Sequence, residues 1–395
     1  MSSAHKENEA VRDRIEEFVV SSDLVSACAS VEDLHASDLA DVIEGLGEGA
    51  QVALLSALPA EVASDALVEI EDRKGRADLL SSLTPEKGAE LIEELPDDDA
   101  ADLIGELDPS NQKAILDQLP DETAGELMDL LQYHKESAGG LMTTDFVSVL
   151  SKLTASQALD EVRIQGREVE EFYTVFVVDE SRRLMGTVRL DDLVIADPSQ
   201  RIEGLVEEPE ATVGPEEDQE HIGRLIGRYN MASIAVVTAG GVLLGRITFD
   251  DVIDVMEAEQ TEDILRLAGI SDEEKLRHTW TESVRTRLPW LALNLLTASA
   301  AASVIMIYED VIDQIITLAF LAPIIAAMGG SSGTQSLAIT IRRLTVEGPG
   351  SARGFVMKEL LIGLVIGGVL GLGIAGIVLF IPGGNPRLGL VVMLA

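Results

Sequence analysis

Three uncharged apolar stretches near the end of the chain decide its fold: PWLALNLLTASAAASVIMIY (Pro289–Tyr308), IITLAFLAPIIAAMGGSSGTQSLA (Ile315–Ala338) and LLIGLVIGGVLGLGIAGIVLFI (Leu360–Ile381). A helix that rises about 1.5 Å per residue needs roughly 20 apolar residues to cross about 30 Å of hydrocarbon. One such run is compatible with a buried core helix. Three in succession, with glycines in the second and third, predict an α-helical transmembrane bundle over residues 288–395, with three full spans and the start of a fourth.

The net charge of −40 is carried by the part of the chain that precedes these stretches, because residues 287–395 hold six Lys or Arg and five Asp or Glu. An acidic field of this size repels nucleic acid and attracts cations. A soluble or salt-adapted acidic surface would give the same composition, so charge alone does not identify a ligand. The lone cysteine, Cys28, excludes an intrachain disulfide framework and fits a reducing compartment.

The distribution of basic residues predicts the orientation in the membrane. Bases flank the first stretch and fill the connection between the second and third, whereas the connection between the first and second holds only acids: Arg285, Arg287, Arg342, Arg343, Arg353 and Lys358 against Glu309, Asp310 and Asp313. Connections rich in Lys and Arg stay on the cytosolic side. The first 286 residues start without an apolar run of the signal-peptide type, so we expect them in the cytosol.

A leucine repeat organises residues 31–132, after a polar segment over residues 1–30. Its members recur every twelve residues, with one extra residue after the fourth: Leu34, Leu46, Leu58, Ile70, Leu83, Leu95, Leu107 and Leu119. Proline follows several of them, as in Leu95-Pro96, and proline is tolerated in the first turn of a helix. One unit of about two turns cannot bury its apolar face alone, so the units must stack. We predict an all-α solenoid of short helices.

Two copies of one pattern follow in residues 133–257. Each copy ends with a strand, a tight turn, a second strand and a helix that begins at an Asp-Asp pair; the closing segments are LMGTVRLDDL (184–193) and LGRITFDDV (244–252). This pattern resembles a tandem cystathionine-β-synthase (CBS) domain, which has an α/β fold. In CBS modules that bind adenine nucleotides, a Thr and an Asp hold the phosphate and ribose.

The matching residues here are Asp192, Thr248 and Asp251, and Arg189 stands in the place of the first copy's Thr. An aspartate at a helix start also accepts backbone N–H groups as a cap, and one residue can do both.

Carboxylates continue into the helix that follows the CBS pair. Residues 250–263 read DDVIDVMEAEQTED, and side chains three or four positions apart on a helix are neighbours. Such oxygen ligands suit Mg²⁺, which keeps most of its water. A solvated helix face would have the same composition.

The middle apolar stretch holds the most unusual sequence of the chain, PIIAAMGGSSGTQ (Pro323–Gln335). Polar and glycine residues at bilayer depth are tolerated where they face protein or a water-filled path. The segment therefore indicates either close helix packing or a permeation path. Its pattern, P-x4-M-G-G-x-x-G-T-Q, resembles the signature of the second transmembrane helix of MgtE-type magnesium transporters, with Ser331 where that family usually has Asn.

The resemblance extends over the chain in the order of that family: a helical N domain, a CBS pair, a connecting helix over residues 258–287, and a transmembrane block. It implies a homodimer in the plasma membrane whose acidic cytosolic domains bind Mg²⁺, with ATP as a candidate ligand of the CBS pair. The carboxylates implied as Mg²⁺ ligands are Asp98, Asp102, Asp218, Glu220, Asp251, Asp254, Glu259, Glu262 and Asp263.

That family has five transmembrane helices and a pore aspartate in the fifth. This sequence reaches only residues 388–395 of a fourth. We therefore expect either a fragment or a product that does not conduct alone.

The chain shows no phosphate-binding loop, no Cys/His metal set and no nucleophile–base pair, and its five histidines are scattered: His5, His35, His134, His221 and His278. The sequence therefore predicts that the protein is not an enzyme. The leading interpretation is a subunit for passive Mg²⁺ influx, gated by Mg²⁺ at the acidic cytosolic domains. The alternative is a membrane-anchored sensor of Mg²⁺ or adenine nucleotide that does not itself transport.

Overall fold

The computed structural model describes residues 11–270 except 13, 20, 22, 32, 33, 71, 168, 170 and 171, together with residues 280–307, 317–347, 352–380 and 386–394. Two compact units make up the chain, one ending at Met256 and the other beginning at Glu257. The first contains the helical stack and the CBS pair, and the second contains the long apolar helices.

Short helices form the first part of the first unit. They are α1 (Leu24–Ala29), α2 (Ala36–Glu44), α3 (Glu48–Ala57), α4 (Ala60–Val68), α5 (Arg73–Ser82), α6 (Pro85–Glu93), α7 (Asp97–Gly105), α8 (Pro109–Leu116) and α9 (Asp121–Leu130). Their starts follow the predicted turn residues. Thr84 Oγ1 accepts a hydrogen bond from the Lys87 N–H (3.3 Å) at the start of α6, and Asp108 caps α8 through the Ser110 N–H (2.9 Å).

The leucine repeat supplies the core of this stack. Seven of its eight members are buried, with at most 9% of each residue exposed: Leu46, Leu58, Ile70, Leu83, Leu95, Leu107 and Leu119. Each helix packs mainly against the helix two positions further along the chain, as α5 does against α7 and α7 against α9. The prediction of a solenoid of short helices is confirmed.

The CBS pair contains two three-stranded sheets with the same topology. The first has β1 (Ser148–Leu150), β2 (Thr174–Val178) and β3 (Leu184–Arg189), with α11 (Ala155–Gln165) and α12 (Leu190–Ile195). The second has β4 (Thr212–Val213), β5 (Ser233–Val237) and β6 (Leu243–Thr248), with α13 (Gln219–Tyr229). In each sheet the first two strands are parallel and the last two antiparallel.

A short helix, α10 (Ala138–Leu141), leads from the stack into the CBS pair. The Ala138 N–H donates to the carbonyl of Glu217 (2.7 Å), and Thr143 exchanges two backbone hydrogen bonds with Arg246 of β6 (2.9 and 3.0 Å). The two sheets also join each other, because Leu184 donates to the carbonyl of Gly241 (2.9 Å). Backbone contacts therefore fix the second CBS copy to the chain that enters it from the stack.

A longer helix, α14 (Phe249–Leu267), starts at the end of β6. The sequence predicts that a connecting helix continues as far as Arg287, but α14 ends at Leu267, and Gly269 follows with φ +70°. This left-handed conformation suits glycine, and the Ile270 N–H closes the turn on the carbonyl of Leu265 (2.9 Å). Residues 271–279, which belong to the predicted helix, lie outside the described residues.

The second unit holds α15 (Trp280–Ile307), α16 (Thr317–Glu347), α17 (Ala352–Val378) and α18 (Pro386–Leu394). Two described helices are long and apolar enough to cross a membrane, Trp280–Ile307 and Gly354–Val378. Most of their large apolar side chains are exposed in the single chain. The middle of α16 holds polar and glycine residues, and its assignment as a further span stays a prediction.

Candidate functional site

The first turn of α7 carries three consecutive carboxylates, Asp97, Asp98 and Asp99. Negative charge is favourable at a helix start because the unpaired N–H groups there carry partial positive charge. Asp97 accepts a hydrogen bond from the hydroxyl of Thr144, a residue just beyond α10. This contact turns the acidic end of α7 toward the entrance of the CBS pair.

The second CBS copy ends with Thr248 and Asp251, at the start of α14. The carboxylate of Asp251 accepts hydrogen bonds from the hydroxyl of Thr248 and from its backbone N–H (3.4 Å). The aspartate therefore has the geometry of a cap on α14, one of the two roles that its sequence position allows.

The acidic groups of α7 and α14 repel one another across the contact between the stack and the second CBS copy. Burial raises the pKa of Asp98 well above its ordinary value, and the charges of Asp251 and Asp99 raise it further. Burial likewise raises the pKa of Asp99 to about 7, with contributions from Asp251, Asp102 and Glu69 that outweigh the opposing effect of Arg76. The Oδ1 atom of Asp98 is buried without a hydrogen-bond partner among the described residues.

Asp251 and Asp102 also sit in this environment. The pKa of Asp251 is raised by burial and by neighbouring Asp250, against the lowering effect of its Thr248 hydrogen bond. The pKa of Asp102 is raised by burial, against the charge of Arg73. Four carboxylates from α7 and α14 therefore all favour the protonated form more than free aspartate does.

Arg246 of β6 is a base of the second CBS copy that interacts electrostatically with this group. It is buried, and its Nε donates to the carbonyl of Asp145 (2.9 Å). Burial lowers the pKa of its guanidinium, whereas the charges of Asp98, Asp250 and Asp251 raise it. This base offsets part of the negative charge of the neighbouring aspartates.

We call Asp98, Asp99, Asp102 and Asp251 the acidic interface. Within the described ranges, no group of three or more His, Cys, Asp or Glu has the arrangement of a metal centre. The acidic interface brings together Asp98, Asp102 and Asp251 of the predicted Mg²⁺ ligands, and their role as ligands stays a prediction. A hydrated Mg²⁺, which binds few protein oxygens directly, suits such an open arrangement better than a closed cage.

The structure places the other predicted ligands in local interactions. Asp218 caps α13 by accepting from the Glu220 N–H (3.0 Å), and Glu220 pairs with Arg224 (3.1 Å). Asp254 lies one turn after Asp251 on α14. Glu259, Glu262 and Asp263 follow on the same helix beyond Met256, and Glu262 pairs with Arg266.

The first CBS copy differs from the second at the predicted nucleotide residues. Arg189 donates to both oxygens of Asp191 (3.0 and 2.7 Å), and its Nε lies 4.0 Å from Asp192 Oδ2. A guanidinium therefore occupies the position at which the second copy presents the Thr248 hydroxyl.

Sequence reasoning missed two members of this neighbourhood, Asp99 and Arg246. Asp99 stands beside the predicted Asp98, and its burial depends on packing that the sequence does not display. Arg246 could have been singled out from the sequence, because it is the single base within strand β6.

A helical stack joined to a CBS pair, with long apolar helices after it, defines a CBS-containing membrane protein. Family models match these parts in turn: the MgtE intracellular N domain over residues 34–136, the CBS domain over 138–199 and 202–258, and the divalent cation transporter domain over 322–395. The Magnesium transporter MgtE of Bacillus subtilis is 31% identical over 364 residues, which cover 92% of this chain and 80% of that protein. The chain belongs to the MgtE family of magnesium transporters.

Two further relatives have the same description. The Magnesium transporter MgtE of Enterococcus faecalis is 35% identical over 62% of this chain, and that of Thermus thermophilus is 35% identical over 60%. The chain spans about half the length of these two proteins, since the matches cover 54% of each.

Solved structures agree with the fold of the first unit. The soluble part of a magnesium transporter matches with a TM-score of 0.58 and 30% identity, over 64% of this chain and 99% of that structure. The cytosolic domain of the Mg²⁺ channel MgtE in complex with ATP matches with a TM-score of 0.59 and 31% identity, over 62% and 99%. The family resemblance that the sequence indicates is confirmed.

Proposed function

We propose that this protein is a subunit for passive Mg²⁺ movement across the plasma membrane, and that cytosolic Mg²⁺ closes it. The observation that carries the proposal is the acidic interface, where Asp98 and Asp99 of α7 lie close enough to Asp251 of α14 to raise their pKa values. Carboxylates held in this way favour a state in which a cation lies between them.

The gating follows from charge. Without Mg²⁺, repulsion across the acidic interface favours separation of the stack from the second CBS copy. With Mg²⁺, the cation offsets the repulsion and favours their contact. A ligand that binds one arrangement more tightly shifts the population toward it, by no more than its differential affinity.

The conducting part is assigned to the apolar helices. The divalent cation transporter model matches from residue 322 onward, a range that includes the glycine and hydroxyl residues 329–336 of α16. Hydroxyl and carbonyl oxygens are suitable neighbours for a hydrated divalent cation. Mg²⁺ is cargo at this site and a regulatory ligand at the acidic interface.

Two further features belong to the proposal. The first CBS copy exposes Met185, Val194 and Ile195, which are 55%, 60% and 81% exposed, and this apolar surface supports a homodimer. The excess of bases between the second and third apolar stretches supports a cytosolic N-terminus and a multi-pass arrangement.

ATP is a candidate ligand of the CBS pair. A related solved structure is described as a complex with ATP, and Thr248 and Asp251 stand at the matching positions of the second copy. In the first copy, the Arg189–Asp191 pair occupies the corresponding position. This pair supports one ATP-binding position per chain rather than two.

The test uses the protein with all the transmembrane helices of the family and measures Mg²⁺ flux into proteoliposomes as a function of Mg²⁺ on the cytosolic face. We expect Asp98→Asn with Asp251→Asn to retain flux and to lose inhibition by cytosolic Mg²⁺. The matched control is Glu122→Gln, because Glu122 holds the same position after Pro120 in α9 that Asp98 holds after Pro96 in α7, but is exposed. Absence of Mg²⁺ flux in the unsubstituted protein would favour the alternative, a sensor that does not transport.

A further inference from the structure

A polar contact joins two of the apolar helices of the second unit. The hydroxyl of Ser336 on α16 donates a hydrogen bond to Oε2 of Glu359 on α17, with an O–O distance of 2.9 Å. Glu359 is the only acidic residue of α17 and stands directly before its long apolar run. Glu359 lies within Gly354–Val378, a helix apolar enough to cross a membrane, and an ionisable group inside such a segment indicates a functional role.

Among the described residues, α16 also meets α17 at two other places. Arg343 of α16 lies over the ring of Phe355 of α17, with 4.9 Å between its Cζ and the ring centroid. Leu321 and Ile325 of α16 pack against Ile374 and Val378 of α17. The contacts at Leu321 and Ser336 lie fifteen residues apart along α16, with the unusual segment between them. The apolar contact has no directional preference, whereas the hydrogen bond requires one orientation of α16 about its axis.

The helix surface between the two contacts is open. An added Cβ at Gly329, Gly330 or Gly333 would meet no described atom within 4 Å. Gly329, Gly333 and Ser336 recur at intervals of four and three and share one face of α16. A rotation of α16 that broke the bond to Glu359 would therefore turn this face away from its present direction.

Other hydroxyls of this stretch bond within α16 itself. Thr334 donates to the carbonyl of Gly330 (3.1 Å), and Thr340 donates to the carbonyl of Ser336 (2.6 Å). Such bonds stabilise the side chains without fixing the helix relative to its neighbour. Ser336 differs from both in reaching across to another helix.

We propose that Glu359 is a positioning residue of the permeation path: its carboxylate holds the Ser336 hydroxyl and thereby sets the rotation of residues 329–335. A hydrogen bond to a carboxylate is about twice as strong as one between neutral groups. In surroundings with few competing donors, it is well suited to holding a helix in one orientation. The inference rests on the proposed function, in that it assigns residues 329–335 to the path.

The test uses the chemistry of one introduced thiol. Cys28 is the only cysteine, so Cys28→Ala provides a background without thiols. Ser331→Cys then places a reporter in the open segment of the whole protein in membrane vesicles. The measurement is its rate of reaction with a charged, membrane-impermeant thiosulfonate reagent, normalised to the total thiol after denaturation.

We expect Glu359→Ala and Ser336→Ala each to change this rate by about tenfold, the effect of losing one hydrogen bond to a charged group. The double substitution should add nothing further, because both remove the same contact. Glu359→Gln keeps a neutral and weaker acceptor for the Ser336 hydroxyl, so its rate should lie between those of the parent and Glu359→Ala. Thr340→Val, which removes a hydroxyl that bonds within α16, is the matched control and should leave the rate unchanged.

Three outcomes would overturn the inference: unchanged rates in both alanine variants, additive effects in the double variant, or Glu359→Gln behaving like Glu359→Ala. If Glu359→Gln behaved like Glu359→Ala, the negative charge of Glu359, rather than its hydrogen bond with Ser336, would account for the effect. The rate of thiol reaction is measured independently of Mg²⁺ flux. Failure of this inference can therefore be distinguished from failure of the proposed function. If the protein with all the transmembrane helices of the family showed the expected reactivity pattern but no Mg²⁺ flux, the proposed function alone would be contradicted.

Discussion

The guanidinium of Arg76 on α5 forms two hydrogen bonds with the carboxylate of Glu106 at the end of α7, from Nε to Oε2 (3.1 Å) and from Nη2 to Oε1 (2.8 Å). Its Nη1 also donates to the carbonyl of Val68 at the end of α4 (2.9 Å). Arg76 is buried, so this arrangement joins three helices of the stack where water does not compete. It also places a positive charge close to Asp99 and Asp102.

Replacing Arg76 by Ala should destabilise the first unit by about 3 kcal/mol, because Glu106 would keep a partly buried charge without its main partner. Urea unfolding followed by circular dichroism measures this. The control is Lys113→Ala, which removes an exposed pair with Asp117 (3.8 Å) and should cost less than about 1 kcal/mol. Equal losses in the two variants would show that the Arg76 pair is no stronger than a surface ion pair.

The stability of the first unit without Mg²⁺ should fall as the pH rises. The pKa of Asp99 is raised to about 7 in the folded protein, and that of Asp98 is raised well above its ordinary value. The folded state therefore holds more protons than the unfolded chain, and this contribution to stability is lost from about pH 4 upward as the pH passes through the folded pKa values. Asp99→Asn should flatten the dependence, and Glu122→Gln should not.

Unfolding midpoints at about pH 5 and about pH 8, with and without millimolar Mg²⁺, check this expectation. Mg²⁺ should restore stability mainly at the higher pH, where the aspartates are charged. If the unfolding midpoint rose with pH in the absence of Mg²⁺, the negative charges of these carboxylates would already be compensated in the folded protein.

Adenine nucleotide should bind the CBS pair weakly, because Arg189 and its partner Asp191 occupy the position that Thr248 has in the second copy. Calorimetric titration of the first unit with ATP measures this, and Asp251→Ala should reduce the affinity further. Asp192→Ala should have the smaller effect. Micromolar binding that survives both substitutions would exclude these aspartates as nucleotide ligands.

Replacing Asp251, Asp254, Glu259 and Glu262 together by Ala should abolish the response of Mg²⁺ flux to cytosolic Mg²⁺. All four lie on α14, and the substitution removes both the differential affinity for Mg²⁺ and the repulsion in its absence. Flux measured against cytosolic Mg²⁺ in proteoliposomes, with the protein carrying all the transmembrane helices of the family, is the readout. Inhibition at the unsubstituted protein's concentration would show that α14 is a solvated helix and that the sensor lies elsewhere.

Periodic features of the sequence predict the fold well. The twelve-residue spacing from Leu46 to Leu119 identifies buried positions, since a short helix has to bury the same face in each unit. The repeated close of the CBS copies likewise gives β3 and β6, because alternating strands joined by a tight turn form a hairpin. Local pattern determines local structure in both cases.

The acidic interface was harder to predict. Asp98 and Asp251 are 153 residues apart, and their proximity depends on how the stack meets the second CBS copy. The identity of Asp99 as a member depends on burial, which a run of three aspartates does not reveal. The end of α14 at Leu267 depends on the left-handed turn at Gly269, which a single glycine signals only weakly.

The packing of each short helix on the helix two places along gives the stack two interleaved rows, with α5, α7 and α9 in one and α4, α6 and α8 in the other. In such an arrangement each helix contacts only nearby helices, and the helices do not surround a single central core. Loosening at α1 should therefore fade within a few helices instead of melting the whole stack. Amide hydrogen exchange would then be faster at α1 than at α7, so the helix that bears Asp98 keeps its place while α1 loosens.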